Sequence, residues 1–185
     1  MGLSETIGNI LQRIRNHRST IALYIVTLLL LVLMKRFLKA ATLEQMKALL
    51  APVACAVRLF LASPFELGPA GYFYPELHII IGKSCSGANF FLVLFALLVF
   101  LYVPTAKGVW RKVLYWGEAL ILSYFVTLAA NASRILMAVS MRSYFAGTGV
   151  QDKFHMILGM VVYLFYLVLT RLMADKLMRK AGNGS

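Results

Sequence analysis

Cys85 lies in the run Lys83-Ser84-Cys85-Ser86-Gly87-Ala88-Asn89-Phe90-Phe91, where small polar residues and a thiol give way to a strongly apolar stretch. Two other polar features fall at comparable places. Asn131-Ala132-Ser133-Arg134 closes one apolar stretch, and His155 opens the next. A thiol, a guanidinium and an imidazole at three helix ends on one side of a bilayer are the parts of a cysteine-nucleophile site. The thiolate is the attacking form, and a helix N-terminus beside a cation, here Lys83, favours it. Ser84 or Ser86 can cap the free N–H groups of that helix, and Gly87 lets a substrate backbone approach closely. Arg134 follows Asn131 by one helical turn, so both project from one face. Arginine offers fixed planar donors and keeps its charge, which suits holding a thiolate or a developing oxyanion. An imidazole at His155 can act as base towards the thiol and as acid towards a leaving amine.

Each of these residues also has a plainer reading. A buried cysteine is often a small apolar filler, and this reading suits Cys55, which sits among alanines and valine in a helical stretch. An arginine at the end of a span commonly snorkels to lipid headgroups. An isolated histidine there is commonly an interfacial ring. His78 competes with His155, because the loop that carries it could fold back over the site; His17, among arginines, reads as surface. At His155 a helix dipole disfavours imidazolium while a nearby thiolate favours it, and residue types alone leave that balance open.

The elements that must position these groups are membrane helices. The chain has 185 residues, 61% of them hydrophobic, with a mean hydropathy of +0.77. A soluble domain of that length could not bury so much apolar surface, so lipid is the solvent for much of it. The net charge is +12, but the basic residues cluster in short segments between apolar runs and form no continuous basic face. They read as positive-inside topology signals and contacts to anionic headgroups, not as a nucleic-acid surface. The two cysteines form no CxxC and no Cys/His pair at zinc-ligand spacing, so neither a disulfide framework, a metal nor another cofactor is implied. No cleavable signal peptide is expected, since the apolar run after Arg18 leads to Met34-Lys35-Arg36 and not to a small-residue cleavage site.

Residues 1–18 read as an amphipathic N-terminal segment, with Leu3, Ile7, Ile10, Leu11 and Ile14 at helical spacing opposite Arg13, Arg15 and Arg18. Residues 19–175 form a single helical transmembrane domain, and residues 176–185 a basic cytoplasmic tail. Within the domain, Thr20–Met34, Ala88–Val103, Val113–Ala130 and Met156–Leu169 are apolar runs that approach the ~20 residues of a spanning helix once their flanks are added. Met46–Leu61 is also apolar but carries Pro52 and Arg58. If it spans, there are five transmembrane helices; if it lies in the interface, there are four. The five-helix version is favoured. Residues 63–83 hold Pro64, Pro69 and Pro75 and read as an ordered loop, in which Gly71–Tyr74 and Leu77–Ile81 can pair as a hairpin across Pro75-Glu76. The short basic loop Lys107–Lys112 and the tail from Arg171 are drawn to the cytoplasm. Cys85, Arg134 and His155 then all fall on the extracytoplasmic side. The expected fold class is all-α, a polytopic helical membrane protein with a short extracytoplasmic hairpin-like loop.

The Cys-Ser-Gly that opens one span, the Asn131-Ala132-Ser133-Arg134-Ile135 that closes the next and the histidine that opens the last resemble the exosortase/archaeosortase family of membrane transpeptidases. The Lys83–Phe90 run is most similar to the short exosortase K type. The resemblance covers residues 46–172 approximately, and the chain is shorter than members that carry further N-terminal spans. By that resemblance Cys85 is the nucleophile, Arg134 the essential arginine and His155 the acid/base. It implies partners that are exported proteins with a C-terminal sorting signal, made of a short motif, a transmembrane helix and a basic end. It also implies an acceptor nucleophile at the cell surface, of unknown identity, and residence in the bacterial cytoplasmic (inner) membrane. Two other functions fit parts of the pattern. Ser86 could be the nucleophile of an intramembrane serine protease, which leaves the adjacent thiol unexplained. A small transporter or channel subunit could line a polar path with Arg134 and His155, but this calls for inverted repeats and Gly/Pro breaks within the spans, and neither is visible.

Overall fold

The computed structural model describes the backbone of residues 3–141 and 151–183, and the side chains of residues 17–141 and 156–179. The chain is mostly helical: α1 (Leu3–Ala40), α2 (Lys47–Leu61), α3 (Ala88–Tyr102), α4 (Val109–Ser140) and α5 (Gln151–Asn183). Between α2 and α3 lie three short strands, β1 (Glu66–Gly68), β2 (Gly71–Tyr74) and β3 (Ile79–Ile81), and a 3-10 turn at Lys83–Cys85. Four stretches are long and apolar enough to cross a membrane: His17–Ala40, Lys83–Thr105, Val109–Ser140 and Met156–Arg179. Their outer faces expose Ile25, Leu29, Phe125, Leu164 and Phe165, an apolar exterior compatible with a multi-pass membrane protein. α2 differs. It has 15 residues, as many as α3, but α3 is continued by 3-10 turns into the 23-residue stretch Lys83–Thr105. α2 carries Pro52 and is not among the four, so the four-helix version fits these stretches and the favoured five-helix version does not.

Two of the spans run further than the hydropathy runs. α4 continues through Ile135-Leu136-Met137-Ala138-Val139 to Ser140 because nothing there breaks a helix, so Asn131 and Arg134 stand inside it and not at its end. α5 begins at Gln151, so the backbone of His155 is already helical by one turn.

The chain forms two compact units, residues 1–39 with 92–123 and residues 40–91 with 124–185. In the first, α1 is held through its few polar atoms. Thr27 is fully buried; its hydroxyl donates to the Leu23 carbonyl at 2.7 Å and accepts the Trp116 indole N–H at 2.9 Å. Trp116 meets Phe95 edge-on with ring centroids 5.5 Å apart. Tyr24 donates to the Phe100 carbonyl at 3.1 Å. The buried Lys112 ammonium donates to the Ser19 and Thr20 hydroxyls at 3.1 and 2.7 Å. A polar group buried in the protein needs such an internal partner.

The second unit is organised around α2 and the small sheet. α2 buries Leu50, Val53, Ala54 and Val57, one stripe at helical spacing, while Cys55, expected as filler, is exposed. The strands pair antiparallel in the order β1-β2-β3, with Tyr72 opposite Ile81 and Tyr74 opposite Ile79. The hairpin is therefore present, but its turn is the four residues Pro75–His78 and not Pro75-Glu76 alone. A two-residue turn needs φ > 0 at its first position, which proline cannot adopt; His78 supplies the left-handed residue instead, at φ 50. Tyr74 is fully buried and donates to the Ala54 carbonyl at 2.6 Å, fastening the sheet to α2. Burial pushes its pKa up to about 12. Phe65 packs against Tyr72 and Tyr74 and lies under the Arg58 guanidinium. The anchored sheet delivers the chain, through the buried Ile81, into the 3-10 turn that ends at Cys85.

Candidate active site

Cys85 is partly exposed at the end of the 3-10 turn, whose backbone is tied by Cys85 N–H to the Gly82 carbonyl at 2.9 Å and by Ser86 N–H to Lys83 O at 3.2 Å. The turn passes into α3 through Ser86 and Gly87. Ser86 is buried and its hydroxyl accepts the Ala88 N–H at 3.4 Å, so of the two serines it is Ser86 that meets the start of the helix. Gly87 has φ +67, and a Cβ there would lie 3.1 Å from Thr127 Cγ2 and 3.5 Å from Asn131. The glycine therefore answers two local demands, a left-handed backbone and a close approach to α4. Substrate access, the expected reason for it, is not what the packing there expresses.

Asn131 is fully buried and clamps the turn from α4: its side-chain amide Nδ2 donates to the Cys85 carbonyl. Its Oδ1 accepts the Tyr163 hydroxyl at 3.1 Å. One turn further on α4, the Arg134 guanidinium lies over the Tyr163 ring, 5.5 Å from its centroid. Gly159 makes room for it, since a Cβ at that position would stand 3.2 Å from Arg134 Cδ. Arg134 Nε and Nη2 are buried and have no hydrogen-bond partner among the described residues. Unpaired buried donors are rare enough to need a reason.

Ser84, Cys85, Arg134, Met156, Gly159, Met160 and Tyr163 line a cavity of about 370 Å³. Of the expected groups, Cys85 and Arg134 thus share one cavity, Asn131 braces it from below the thiol's backbone, and Ser84 stands at its wall. Ser86 and Gly87 build the helix start and do not line it. Two expectations change. Lys83, expected as the cation near the thiol, donates its ammonium to the Ala41 carbonyl at 2.7 Å, and the cation that shares the cavity is Arg134. His78 is exposed on the hairpin turn and is not among the cavity residues. The His155 side chain lies outside the described residues; its backbone precedes Met156, which lines the cavity. Among the described residues no three His, Cys, Asp or Glu side chains come together to hold a metal.

Sequence reasoning missed the α5 wall. Met156, Gly159, Met160 and Tyr163 follow the i, i+3, i+4, i+7 pattern of one helix face. Gly159, Tyr163, Tyr166 and Thr170 are the small or polar-tipped residues of an otherwise aliphatic and aromatic run, at steps of four, three and four. That stripe was the available signal. Lower on it, Tyr166 hydrogen-bonds Ser133 at 2.8 Å.

No protein-family model, curated protein or solved structure matches this chain. The functional reading therefore stands on its residues and their geometry.

Proposed function

We propose that this protein is a membrane-embedded cysteine peptidase or transpeptidase that cleaves C-terminal tails of exported proteins. The observation that carries the reading is the shared cavity: it is lined by a partly exposed thiol and by an arginine two of whose buried donors have no partner among the described residues. In the proposed reaction the Cys85 thiolate attacks the scissile carbonyl carbon, forming a C–S bond. The carbonyl oxygen becomes an oxyanion and accepts hydrogen bonds from Arg134. Collapse breaks the C–N bond; the amine leaves with a proton delivered by His155, and the acyl group remains on Cys85 as a thioester. Water or an acceptor amine or hydroxyl then attacks the thioester, loses a proton and releases the thiolate.

The four-span arrangement supports a site on the extracytoplasmic side. With Arg13–Arg18, Lys107–Lys112 and the tail from Arg171 all inside, the segment from Ala41 to Gly82 and the Cys85 end of α3 lie outside. The membrane is the bacterial cytoplasmic membrane, and the substrate is a tail whose own transmembrane helix presents the scissile bond at the bilayer surface. The cavity's mixed lining, a thiol and a guanidinium together with Met156 and Met160, suits an extended peptide with an apolar residue near the cleaved bond. A serine mechanism is disfavoured by Ser86, whose hydroxyl is buried against the helix start.

The test is accumulation of uncleaved tail-bearing precursor in cells expressing each variant at matched levels. Cys85→Ala abolishes processing and Ser86→Ala leaves most of it. Full processing by Cys85→Ala would end the proposal, and complete loss in Ser86→Ala with Cys85→Ala active would transfer the site to the serine.

A further inference from the structure

Resting on the cysteine chemistry proposed above, we infer that Tyr163 is the positioning residue of this site: its hydroxyl braces Asn131, which holds Cys85, and its ring holds Arg134. The hydrogen-bond directions follow from the chemistry of the partners. The Cys85 carbonyl has no hydrogen to give, so Asn131 must turn its NH₂ towards it. That leaves Oδ1 facing Tyr163, which must then be the donor in the 3.1 Å contact. The Cys85 carbonyl thus selects one of two amide orientations, and the Tyr163 hydroxyl braces that orientation by donating to Oδ1. The other would aim Oδ1 at the Cys85 carbonyl and set two acceptors against each other inside a buried contact. Without the hydroxyl, the buried Oδ1 loses its partner and the tie from α4 to the Cys85 backbone loses its brace.

The same side chain meets the second half of the site. Its ring carries the Arg134 guanidinium at 5.5 Å and is itself stacked on Phe90, centroids 4.6 Å apart and planes within 10°. A ring face attracts the cation without occupying any of its N–H groups. Arg134 is therefore held at the cavity wall with Nε and Nη2 still unpartnered among the described residues. Phe90 belongs to the same helix start as Cys85, so one tyrosine couples the thiol's helix to the arginine's position. A phenylalanine keeps the platform and loses only the brace on the amide; a leucine loses both.

The experiment uses the full chain in lipid nanodiscs with Cys55→Ala, and reads two quantities. One is the rate at which iodoacetamide alkylates Cys85; the other is kcat and KM for tail cleavage. Tyr163→Phe lowers the alkylation rate at least about fivefold, because the Cys85 backbone is no longer held firmly in the position that presents the thiol to the cavity. It lowers kcat about tenfold, the equivalent of about 1.4 kcal/mol, with KM kept. In an Asn131→Ala background the same substitution changes either rate by less than about twofold, since the hydroxyl acts only through that amide. Tyr163→Leu lowers both rates further than Tyr163→Phe. Wild-type alkylation in Tyr163→Phe, or an equal loss with and without Asn131, overturns the inference, as does a Tyr163→Phe protein that fails to fold. The alkylation readout requires no substrate, so it stands or falls separately from the peptidase reading, which fails if Cys85→Ala still cleaves tails.

Discussion

Replacing Arg134 by methionine should abolish tail cleavage and make the protein more stable. Two of its donors, Nε and Nη2, are buried without a partner among the described residues. An unsatisfied buried donor costs about 1–3 kcal/mol, and methionine of similar length removes both along with the charge. The substitution also forfeits the contact with the Tyr163 ring, worth about 0.5–2 kcal/mol. The net gain is about 0–5 kcal/mol, or an upward Tm shift of about 2–4 °C for each kcal/mol. Arg134→Lys separates charge from geometry: the ammonium retains the cation but presents a single point in place of a planar fork. If the fork binds the oxyanion, the lysine variant loses about 10²–10³ in kcat. Stability is read by thermal unfolding of the full chain in one detergent, activity by single-turnover cleavage of a tail-bearing substrate in liposomes. A clearly lower Tm for Arg134→Met would mean that the guanidinium makes structural bonds and is not reserved for a reacting oxygen. A lysine variant within about threefold of wild type would refute the oxyanion role.

Gly87→Ala should destabilise by about 1–3 kcal/mol, through the left-handed φ and the 3.1 Å approach to Thr127 Cγ2. Thr127→Ser should relieve only the steric part; a neutral Gly87→Ala in thermal unfolding would contradict this account of the turn. Tyr74→Phe should cost about 0.5–1.5 kcal/mol at neutral pH by losing the bond to Ala54 O. The folded pKa of Tyr74 is raised to about 12 from an ordinary ~10. The unfolded chain therefore releases that proton first, and the tyrosine's contribution is complete below pH ~10 and lost as pH rises towards ~12. Unfolding of both proteins from pH 8 to 11 should show the gap closing above pH 10, and a gap that widens would have the sign wrong. A membrane-impermeant maleimide applied to spheroplasts of a Cys55→Ala strain should label Cys85, whereas labelling only after permeabilisation would reverse the topology.

The long apolar helices were legible because the runs 88–103, 113–130 and 156–169 have the composition that hydrocarbon demands of a span. Their ends were less so. Hydropathy falls at Asn131 and again before Met156, but helix propensity does not, and the backbone stays helical where the polar groups enter. Met46–Leu61 is apolar enough to resemble a span, but it carries Pro52 and Arg58 and has no helical extension like those that lengthen α3. At the site, Cys85 and Arg134 were readable as chemistry out of place in an apolar setting. The exchange of Lys83 for Arg134 was not, because the Lys83 ammonium finds a carbonyl at Ala41, a contact between residues 42 apart in the chain that no local pattern announces. Tyr163 was hidden for a related reason: a tyrosine in a span reads as one more aromatic until its hydroxyl is seen against Asn131. Gly87 drew notice as a place for a substrate backbone, while its left-handed φ and its approach to α4 were not readable from sequence.

The central claim is that an acyl group from the tail resides on the Cys85 sulfur. The direct measurement is rapid acid quenching of protein and tail-bearing substrate in liposomes, followed by proteolysis and mass spectrometry of the Cys85 peptide. The account predicts a substrate-derived acyl adduct on Cys85 that hydroxylamine removes, absent in Cys85→Ala. An adduct on Ser84 or Ser86, or turnover by Cys85→Ala without one, would contradict it.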